Sequence, residues 1–204
     1  MVAVAGSVRR QQAAQTEVEL KAAAIRVFER VGYLNAKITD ITAEAGRATG
    51  SFYKHFASKE KLLEVLLADL LAEGDASALD AGHSDDFRDR AAVRWHVAIF
   101  WAFFRRHRTV MVALQQAATV DESFARRQRE MLEPDLHHIA AHMAELDLPG
   151  DPLVIATVFT QVLWSFAMTR LSPDHPGLGR DLPDAEAIET LTSFLYAGLT
   201  ATRP

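Results

Sequence analysis

The sequence contains no cysteine among its 204 residues, so disulfide bonds, thiolate metal sites and cysteine nucleophiles are excluded. Its longest apolar run is the segment VAIFWAFF at 97–104, far shorter than the roughly 20 residues that a membrane-spanning helix needs. At the N-terminus the arginines follow the apolar residues, whereas a signal peptide has the opposite order. These absences predict a cytoplasmic protein with no membrane contact.

The patterns typical of β-strands and of common enzyme sites are missing as well. Polar and apolar residues do not alternate over any segment of strand length. The sequence has no glycine-rich phosphate loop, no nucleophile elbow and no pair of carboxylates at a plausible site. We therefore predict an all-α protein that is not an enzyme and requires no cofactor.

Apolar residues instead recur at helical spacing through almost the whole chain. In the first third of the chain, several positions have the residue types that begin or end helices. These are Thr16 with Glu19 as a capping box, Gly32 as a stop, Thr39 as an N-cap, Gly46 as a stop and Ser58 as an N-cap. They predict four helices, of which the third is short and holds Phe52, Tyr53 and Phe56.

The rest of the chain is divided by proline, glycine and acidic residues. Further helices are predicted at about 85–107, 109–118, 121–146, 151–171 and 184–201, with loops at 147–152 and 172–184. The glycine- and acid-rich segment at 72–86 is expected to join a small N-terminal domain to a larger body. We predict a flexible arm at 1–15, a three-helix domain at 16–60 and a larger helical domain at 61–204.

The net charge of −5 conceals opposite balances in the two parts of the chain. Residues 1–60 contain nine Lys and Arg against six Asp and Glu, whereas residues 61–204 contain 13 against 21. A basic N-terminal quarter on an acidic body indicates a local contact with a polyanion. A charged surface turn between two packed helices explains the small excess equally well.

Two short helices joined by a tight turn, with a third helix across them, form a helix-turn-helix, whose second helix enters the DNA major groove. The segment RATGSFYKHF at 47–56 has small and polar residues where such a helix faces bases, and apolar residues behind them. Hydroxyl, ammonium and imidazole groups in and after it can meet phosphates. The candidate DNA contacts are Thr39, Arg47, Thr49, Gly50, Ser51, Tyr53, Lys54, His55 and Lys59.

The segment from Thr39 to Leu63 resembles the DNA-binding signature of the TetR family of transcriptional regulators. It carries Ala45-Gly46 before the turn, then the run Gly50-Ser51-Phe52-Tyr53, then Phe56 followed by Ser58-Lys59-Glu60. The resemblance covers about residues 16–66. It implies a DNA-binding domain at 16–60 and a ligand-binding and dimerisation domain at 61–204. The implied function is that of a homodimeric repressor, which a small hydrophobic ligand releases from a pseudo-palindromic operator in double-stranded DNA.

Two residues depart from the family pattern. Many members have a serine that caps the recognition helix where this chain has Ala48, which lacks a side-chain oxygen. We expect Thr49 to act as the cap, which would shift the start of the helix by one residue. Arg47 stands where an apolar residue is common, and it is either an additional DNA contact or a solvated side chain.

The C-terminal part is rich in aromatic and methionine side chains, which either form an ordinary core or line a large apolar cavity. The segment at 103–124 is similar to the TetR subgroup that contains the mycobacterial regulator of ethionamide activation. That similarity implies a long hydrophobic ligand channel. The implied wall residues are Phe100, Phe104, Met131, Thr160 and Trp164, and the implied hydrogen-bonding groups are those of Thr160 and Gln161.

The last two predicted helices, at 151–171 and 184–201, have apolar residues on more than one face. Either they form a four-helix bundle with a second copy of the chain, or both are buried within one subunit. In a twofold dimer the two recognition helices would lie about 34–36 Å apart, in successive major grooves.

A histidine-rich segment at 133–142 suggests a metal site. Asp135, His138 and His142 share one helix face, because they lie at positions i, i+3 and i+7. No fourth ligand is evident elsewhere in the sequence, so we predict a polar helix face and no metal site.

Two other functions remain open at this point. One is a helical small-molecule carrier or enzyme without DNA binding, whose N-terminal helices contact another protein. The other is a DNA-binding protein with a filled, unresponsive core. Salt-dependent DNA binding separates a regulator from the first, and thermal stabilisation by a ligand separates it from the second.

Overall fold

The computed structural model describes residues 2–77, 83–148, 150–171 and 182–200, and for residues 2–9 it describes the backbone alone. These residues form eight helices and no strand, which confirms the predicted all-α fold. The helices are α1 (Val2–Asn35), α2 (Ile38–Glu44), α3 (Thr49–Phe52), α4 (Lys59–Ser77), α5 (Arg90–Val120), α6 (Glu122–Ala144), α7 (Pro152–Leu171) and α8 (Asp184–Thr200). The loop predicted at 172–184 and the joint predicted at 72–86 lie partly outside the described residues.

Residue contacts divide the chain into two compact units. The N-terminal unit comprises residues 1–72 and 109–128, and the C-terminal unit comprises residues 73–108 and 129–204. The N-terminal unit therefore contains most of α4 and a segment from α5 and α6, in addition to the first three helices. The division into functional domains at residue 60 stays a prediction.

Helix α1 begins earlier than the sequence indicates. The Thr16 hydroxyl donates a 2.9 Å hydrogen bond to the carbonyl of Gln12, one turn back within the helix. The capping-box prediction is therefore wrong, because a threonine hydroxyl can also bond to the preceding turn inside a helix. Gly32 does interrupt regular helical geometry, with a positive φ of 74°, before the chain continues to Asn35.

The interruption at Gly32 frees a backbone donor for a contact with a distant segment. The N–H of Tyr33 donates a 2.9 Å hydrogen bond to the side-chain oxygen of Gln116. A side chain at Gly32 would meet the Gln116 amide at ordinary contact distance, so the positive φ is the stronger reason for glycine. Here the backbone conformation, rather than lack of space, selects the residue.

Helix α2 ends in a Schellman motif, as the Gly46 stop predicts. Gly46 has a φ of 63°, its N–H bonds to the carbonyl of Ala43, and the N–H of Arg47 bonds to the carbonyl of Thr42. The start of α2 differs from the prediction. Lys37 is the N-cap, with its N–H bonded to the Asp40 carboxylate, and Thr39 lies exposed in the first turn.

The short helix α3 starts where a capping serine would place it. Ala48 is the N-cap despite having no side-chain acceptor, so the expected shift to Thr49 is wrong. The backbone geometry is set by the turn, since the Ala48 carbonyl still accepts the N–H of Ser51 at 2.8 Å. The predicted cap of α4 is confirmed, because the Ser58 hydroxyl accepts the N–H of Lys61 at 3.2 Å.

The core of the N-terminal unit consists of the apolar faces of these helices. Phe52 is the only buried residue of α3, and it contacts the ring of Phe56. The other large buried side chains are those of Leu20, Val27, Phe28, Tyr33, Ile41, Leu62, Leu63, Leu66, Leu67, Leu70, Val110, Met111, Leu114 and Phe124. Helix α3 thus contributes one side chain to the core of its unit.

The core of the C-terminal unit is built mainly around the first part of α5. The helices predicted at 85–107 and 109–118 form one assigned helix, interrupted at His107 by a φ of −106° and a ψ of 16°. The large buried side chains of this unit are those of Phe87, Val93, Val97, Trp101, Phe104, Met143, Phe159, Leu163, Leu182, Leu191, Leu195 and Leu199. Trp101 also donates its indole N–H to Asp184 at 3.0 Å, which ties α5 to the start of α8.

Helix α7 is long and apolar but poorly covered within one chain. Among the described residues, it is the one helix that could cross a membrane by length and composition, with a mean hydropathy of 1.5 and 22% of that segment buried. One such helix is weak evidence for a membrane span, because apolar helices that pack in soluble proteins share these properties. The predicted lack of membrane contact stays a prediction.

Candidate functional site

The candidate DNA-contact surface comprises α2, the turn at 45–48, α3 and the residues up to 59. Thr39, Gly50, Tyr53 and Lys54 are exposed in it. The Tyr53 side chain is 57% exposed, although its ring lies edge-on to the buried ring of Phe52 at 5.6 Å. A phenol hydroxyl and an ammonium group are therefore available to solvent immediately after α3.

Two hydroxyl residues of α3 lie at the border between surface and interior. Thr49 and Ser51 are both half-buried. The Thr49 hydroxyl lies 3.4 Å from the hydroxyl of Thr42, whose own Oγ1 is 3.2 Å from the carbonyl of Thr39. The hydroxyl of Thr49 thus helps to join α3 to α2, in addition to any contact that it makes with DNA.

Two further candidates have acidic partners on α1. The Arg47 guanidinium forms an ion pair with Glu19, including a 3.0 Å hydrogen bond from its Nε, and this bond holds the pKa of Glu19 below its usual value. The Nδ1 of His55 lies 3.9 Å from the carboxylate of Glu17. Arg47 must therefore exchange Glu19 for phosphate before it can contact DNA.

Lys59 has a structural role that the sequence does not reveal. Its ammonium donates hydrogen bonds of 2.7 and 2.9 Å to the carbonyls of Tyr33 and Ala36, and it lies 4.1 Å from the centre of the Tyr33 ring. Partial burial lowers the pKa of Lys59. The Tyr33 hydroxyl in turn donates to Glu60 at 2.9 Å. These contacts tie the start of α4 to the end of α1.

The candidate ligand residues form part of one aromatic group in the C-terminal unit. Phe104 is fully buried, and its ring contacts those of Phe100 at 5.9 Å and Trp164 at 5.5 Å. The Thr160 hydroxyl is engaged within α7, since it donates to the carbonyls of Ala156 and Thr157. Met131 is half-buried on α6 and Gln161 is exposed on α7. Whether these residues line a ligand channel stays a prediction.

Two clefts lie elsewhere on the C-terminal unit. The larger, of about 610 Å³, lies between the exposed faces of α7 and α8 and is lined by Thr157, Val158, Gln161, Val162, Ser165, Phe166, Thr169, Arg170 and Phe194. The smaller, of about 420 Å³, lies on α5 and the segment before it, and is lined by Ser84, Asp89, Ala91, Ala92, Arg94, Trp95, Ala98 and Ile99. The five candidate wall residues line neither cleft.

The C-terminal unit also contains a group of histidines that the sequence pattern does not bring together. His142 is buried, whereas we predicted a polar helix face, and it lies beside His138 of α6, His96 of α5 and His83 of the preceding segment. Burial lowers the pKa of His96 to about 4 and also lowers that of His142. Both imidazoles are therefore neutral at pH 7. The i,i+4 spacing of His138 and His142 is the only local signal of this group.

Comparison with known proteins identifies the N-terminal unit. The profile of the family described as "Bacterial regulatory proteins, tetR family" matches residues 20–66. The HTH-type transcriptional repressor NicS of Pseudomonas putida is 33% identical over 101 residues, which are 49% of this chain and 47% of NicS. The match thus spans about half the length of that relative.

Solved structures share the fold over nearly the whole chain. The fatty acid degradation regulator FadR of Bacillus halodurans has a TM-score of 0.72 at 15% identity, covering 92% of this chain and 97% of FadR. The FadR of Bacillus subtilis, solved in complex with stearoyl-CoA, has a TM-score of 0.67 at 15% identity, covering 89% of this chain and 98% of that protein. At these identities the likeness shows the fold alone.

Proposed function

We propose that this chain is a dimeric transcriptional repressor of the cytoplasm and a member of the tetR family of bacterial regulatory proteins, whose profile matches residues 20–66. In this proposal it binds a pseudo-palindromic operator and is released by a small, largely hydrophobic ligand, without catalysing a reaction. The observation that carries the proposal is the exposure of Tyr53 and Lys54 directly after α3, within the family-matched segment.

A footprint of the purified protein on the DNA upstream of its own gene tests the proposal directly. Measurements at about 50 and 200 mM salt are needed, because phosphate contacts release counterions and make binding salt-dependent. We expect a protected pseudo-palindrome that weakens at the higher salt concentration. If refolded, ligand-free dimer protects no site in this DNA, binding sites should be selected from fragments of the whole genome. The repressor proposal is wrong if that selection also recovers no site.

The proposed phosphate contacts differ in how free their charges are. Among the described residues, no carboxylate lies within ion-pair distance of Lys54, whereas Arg47 is paired with Glu19. Lys59 donates two bonds to backbone carbonyls. Of these three cations, Lys54 is therefore the one that can approach phosphate without first giving up an ion pair or hydrogen bond seen among the described residues.

Replacing Lys54 by alanine should weaken binding to operator and to unrelated DNA by the same factor. A phosphate contact carries no base information, and its loss removes one released counterion from each protomer. The slope of the logarithm of affinity against the logarithm of salt concentration should therefore become less steep by about 2 for the dimer. Fluorescence anisotropy with both DNAs at several salt concentrations measures this change.

Arg30→Ala is the matched control for this change in charge. Arg30 is exposed, and its partner Glu44 keeps an ion pair with Arg26 at 2.7 Å after the substitution. We expect the salt slope of Arg30→Ala to equal that of the wild type. An equal loss of slope in both variants would show that net charge, rather than a contact by Lys54, governs binding.

The proposed dimer surface is the uncovered face of α7 and α8. Val154 and Val158 of α7 and Phe194 of α8 are all more than half exposed, although they are large and apolar. Exposed apolar residues that cluster on neighbouring helices are typical of an interface. A second copy on this face would form a four-helix bundle and bring two recognition helices to one operator.

The proposed ligand binds in the aromatic interior of the C-terminal unit. A ligand can release DNA only if it binds the DNA-incompetent state more tightly than the competent one, since equal affinity shifts no equilibrium. The buried aromatic group around Phe104 favours an apolar ligand. The stearoyl-CoA complex of Bacillus subtilis FadR suggests a long acyl chain as the first probe.

Stearoyl-CoA should raise the melting temperature of this protein and lower its affinity for the operator. Free CoA should do neither, because the proposed site recognises the apolar chain. Differential scanning fluorimetry and anisotropy at matched ligand concentrations measure the two effects. Stabilisation by stearoyl-CoA without any release of DNA would contradict the proposed role of the ligand, and an equal effect of free CoA would contradict its proposed class.

A further inference from the structure

We propose that His83, His96 and His142 form a binding site for a divalent transition-metal ion of the zinc class, with the neighbouring His138 available to complete it. All four residues lie within the C-terminal unit. The site is independent of the proposed repressor function, because it is argued from the histidines alone.

The three histidines converge from separate segments onto one point. One ring nitrogen from each lies within 4.8 Å of those of the other two. The ring centres are 5.2 Å apart for His83 and His96, 5.0 Å for His96 and His142, and 5.4 Å for His83 and His142. Three imidazoles on a coil and two different helices thus surround a common space.

The hydrogen bonding of His96 leaves the nitrogen that a metal needs. Its Nδ1 lies 2.9 Å from the carbonyl of Ala92, so Nδ1 carries the proton and Nε2 carries the lone pair. Metal-binding histidines commonly donate their second nitrogen to a carbonyl in this way, which fixes both the tautomer and the ring orientation. His96 is therefore already oriented as a ligand through Nε2.

The nitrogens facing this space are short of partners. The Nε2 atoms of His83 and His96 are both buried, and neither has a hydrogen-bond partner among the described residues. Burying an unpaired polar atom costs free energy, so native structures usually provide it with a partner. A metal ion held between the two nitrogens would satisfy both at once.

His138, which is exposed on α6, offers a further nitrogen at a suitable separation from that of His142. Its Nε2 lies 3.2 Å from the Nε2 of His142, one turn further along α6. In a tetrahedral site with metal–nitrogen bonds of about 2.0–2.1 Å, the ligand nitrogens are roughly 3.3 Å apart. The pair on α6 already has this spacing, and the nitrogens of His83, His96 and His142 need to move inward by about 1.5 Å at most to reach it.

Aromatic packing is the alternative explanation for this group of rings. Phe87 stacks on His142 at 4.9 Å and meets His96 edge-on at 4.7 Å, so the histidines do contribute to the core. Packing alone, however, gives no reason for two buried ring nitrogens without partners. The rings of Phe87 and Trp95 then serve as the apolar surroundings of the metal site.

The ligand set indicates which ions fit. Imidazole ligands suit Zn²⁺, Co²⁺, Ni²⁺ or Cu²⁺, whereas Mg²⁺ and Ca²⁺ prefer oxygen ligands. Untagged protein should therefore be dialysed against Zn²⁺ and, separately, against Mg²⁺, and its metal content measured. We expect about one Zn²⁺ and no Mg²⁺ per chain. Replacement by Co²⁺ should give the visible absorption of a tetrahedral nitrogen site.

Variants identify the ligands and separate the site from surface histidines. His83→Ala and His96→Ala should each lower Zn²⁺ affinity at least about 10-fold. His83→Ala is the safer variant, because this residue lies outside the helices. The control is His137→Ala on the exposed side of α6, where the imidazole lies 3.6 Å from Glu133. This variant should bind Zn²⁺ like the wild type.

Circular dichroism must first show that each variant is folded. The proposal is wrong if folded wild-type protein retains no Zn²⁺. It is equally wrong if His83→Ala binds as tightly as the wild type, or if His137→Ala loses as much affinity as His83→Ala. Zn²⁺ should also raise the melting temperature of the wild type but not that of His83→Ala. Equal stabilisation of both would assign the zinc to another site.

Discussion

Replacing Val158 by aspartate should convert the protein to a monomer and lower its operator affinity at least about 100-fold. Val158 is 59% exposed in one chain, so the substitution leaves the fold of the protomer intact. In the proposed dimer the same position is covered, and burying an unpaired carboxylate there is costly. Two half-sites bound together gain about 10²–10⁴ in affinity over one, and this gain is lost with the dimer.

Light scattering and anisotropy with the full operator measure the two parts of this prediction. A monomer of 22.6 kDa should replace a particle of twice that mass. Val120→Asp is the matched control, because this valine is 64% exposed on α5 and belongs to the N-terminal unit, whereas α7 and α8 belong to the C-terminal unit. If Val158→Asp remains dimeric, or if Val120→Asp dissociates equally, then α7 and α8 do not form the interface.

Phe52→Ala should cost about 3–5 kcal/mol of unfolding free energy and abolish DNA binding. Phe52 is fully buried, and it is the one side chain that anchors α3 to the core. The expected loss is a large fraction of the roughly 5–15 kcal/mol that stabilises a typical domain. Urea denaturation gives the free energy, and anisotropy gives the loss of DNA binding.

Tyr53→Ala is the comparison that separates folding from contact. This neighbouring aromatic residue is mostly exposed, so its truncation should change the unfolding free energy by less than about 1 kcal/mol. It should still weaken DNA binding, through the loss of a phosphate contact. If Tyr53→Ala binds operator like the wild type, the proposed contact is wrong. If Phe52→Ala is as stable as the wild type, α3 is held by other interactions.

The helical fold is predictable from sequence because its signals are local. The stop at Gly46 and the cap at Ser58 depend on hydrogen bonds within a few residues, and both are confirmed. Thr16 and Thr39 show the limit of this reasoning. A threonine can cap a helix or lie inside its first turns, and the residues before it decide between the two.

The candidate site is less predictable because its interactions are long-range. Sequence identifies Arg47 as a cation beside the turn, but it does not pair Arg47 with Glu19, 28 residues earlier. The histidines are a stronger case, since His83 and His96 reach His142 only through the tertiary fold. No periodicity links these positions. The pattern within α6 therefore indicates only His138 and His142. It gives no sign of His83 and His96, which lie outside that helix.

The contacts of Lys59 bear on how genetic screens of this protein should be interpreted. A screen for lost repression would recover substitutions at Lys59 and at Lys54 with the same phenotype. The first would act by removing the ammonium from the carbonyls at the end of α1, and the second by removing a charge beside DNA. Raising the amount of protein in the cell should restore repression more readily in the Lys54 variants than in the Lys59 variants. Higher abundance offsets weak DNA binding more readily than it offsets unfolding. A basic residue in a DNA-binding signature can thus stabilise the fold itself, apart from any contact with DNA.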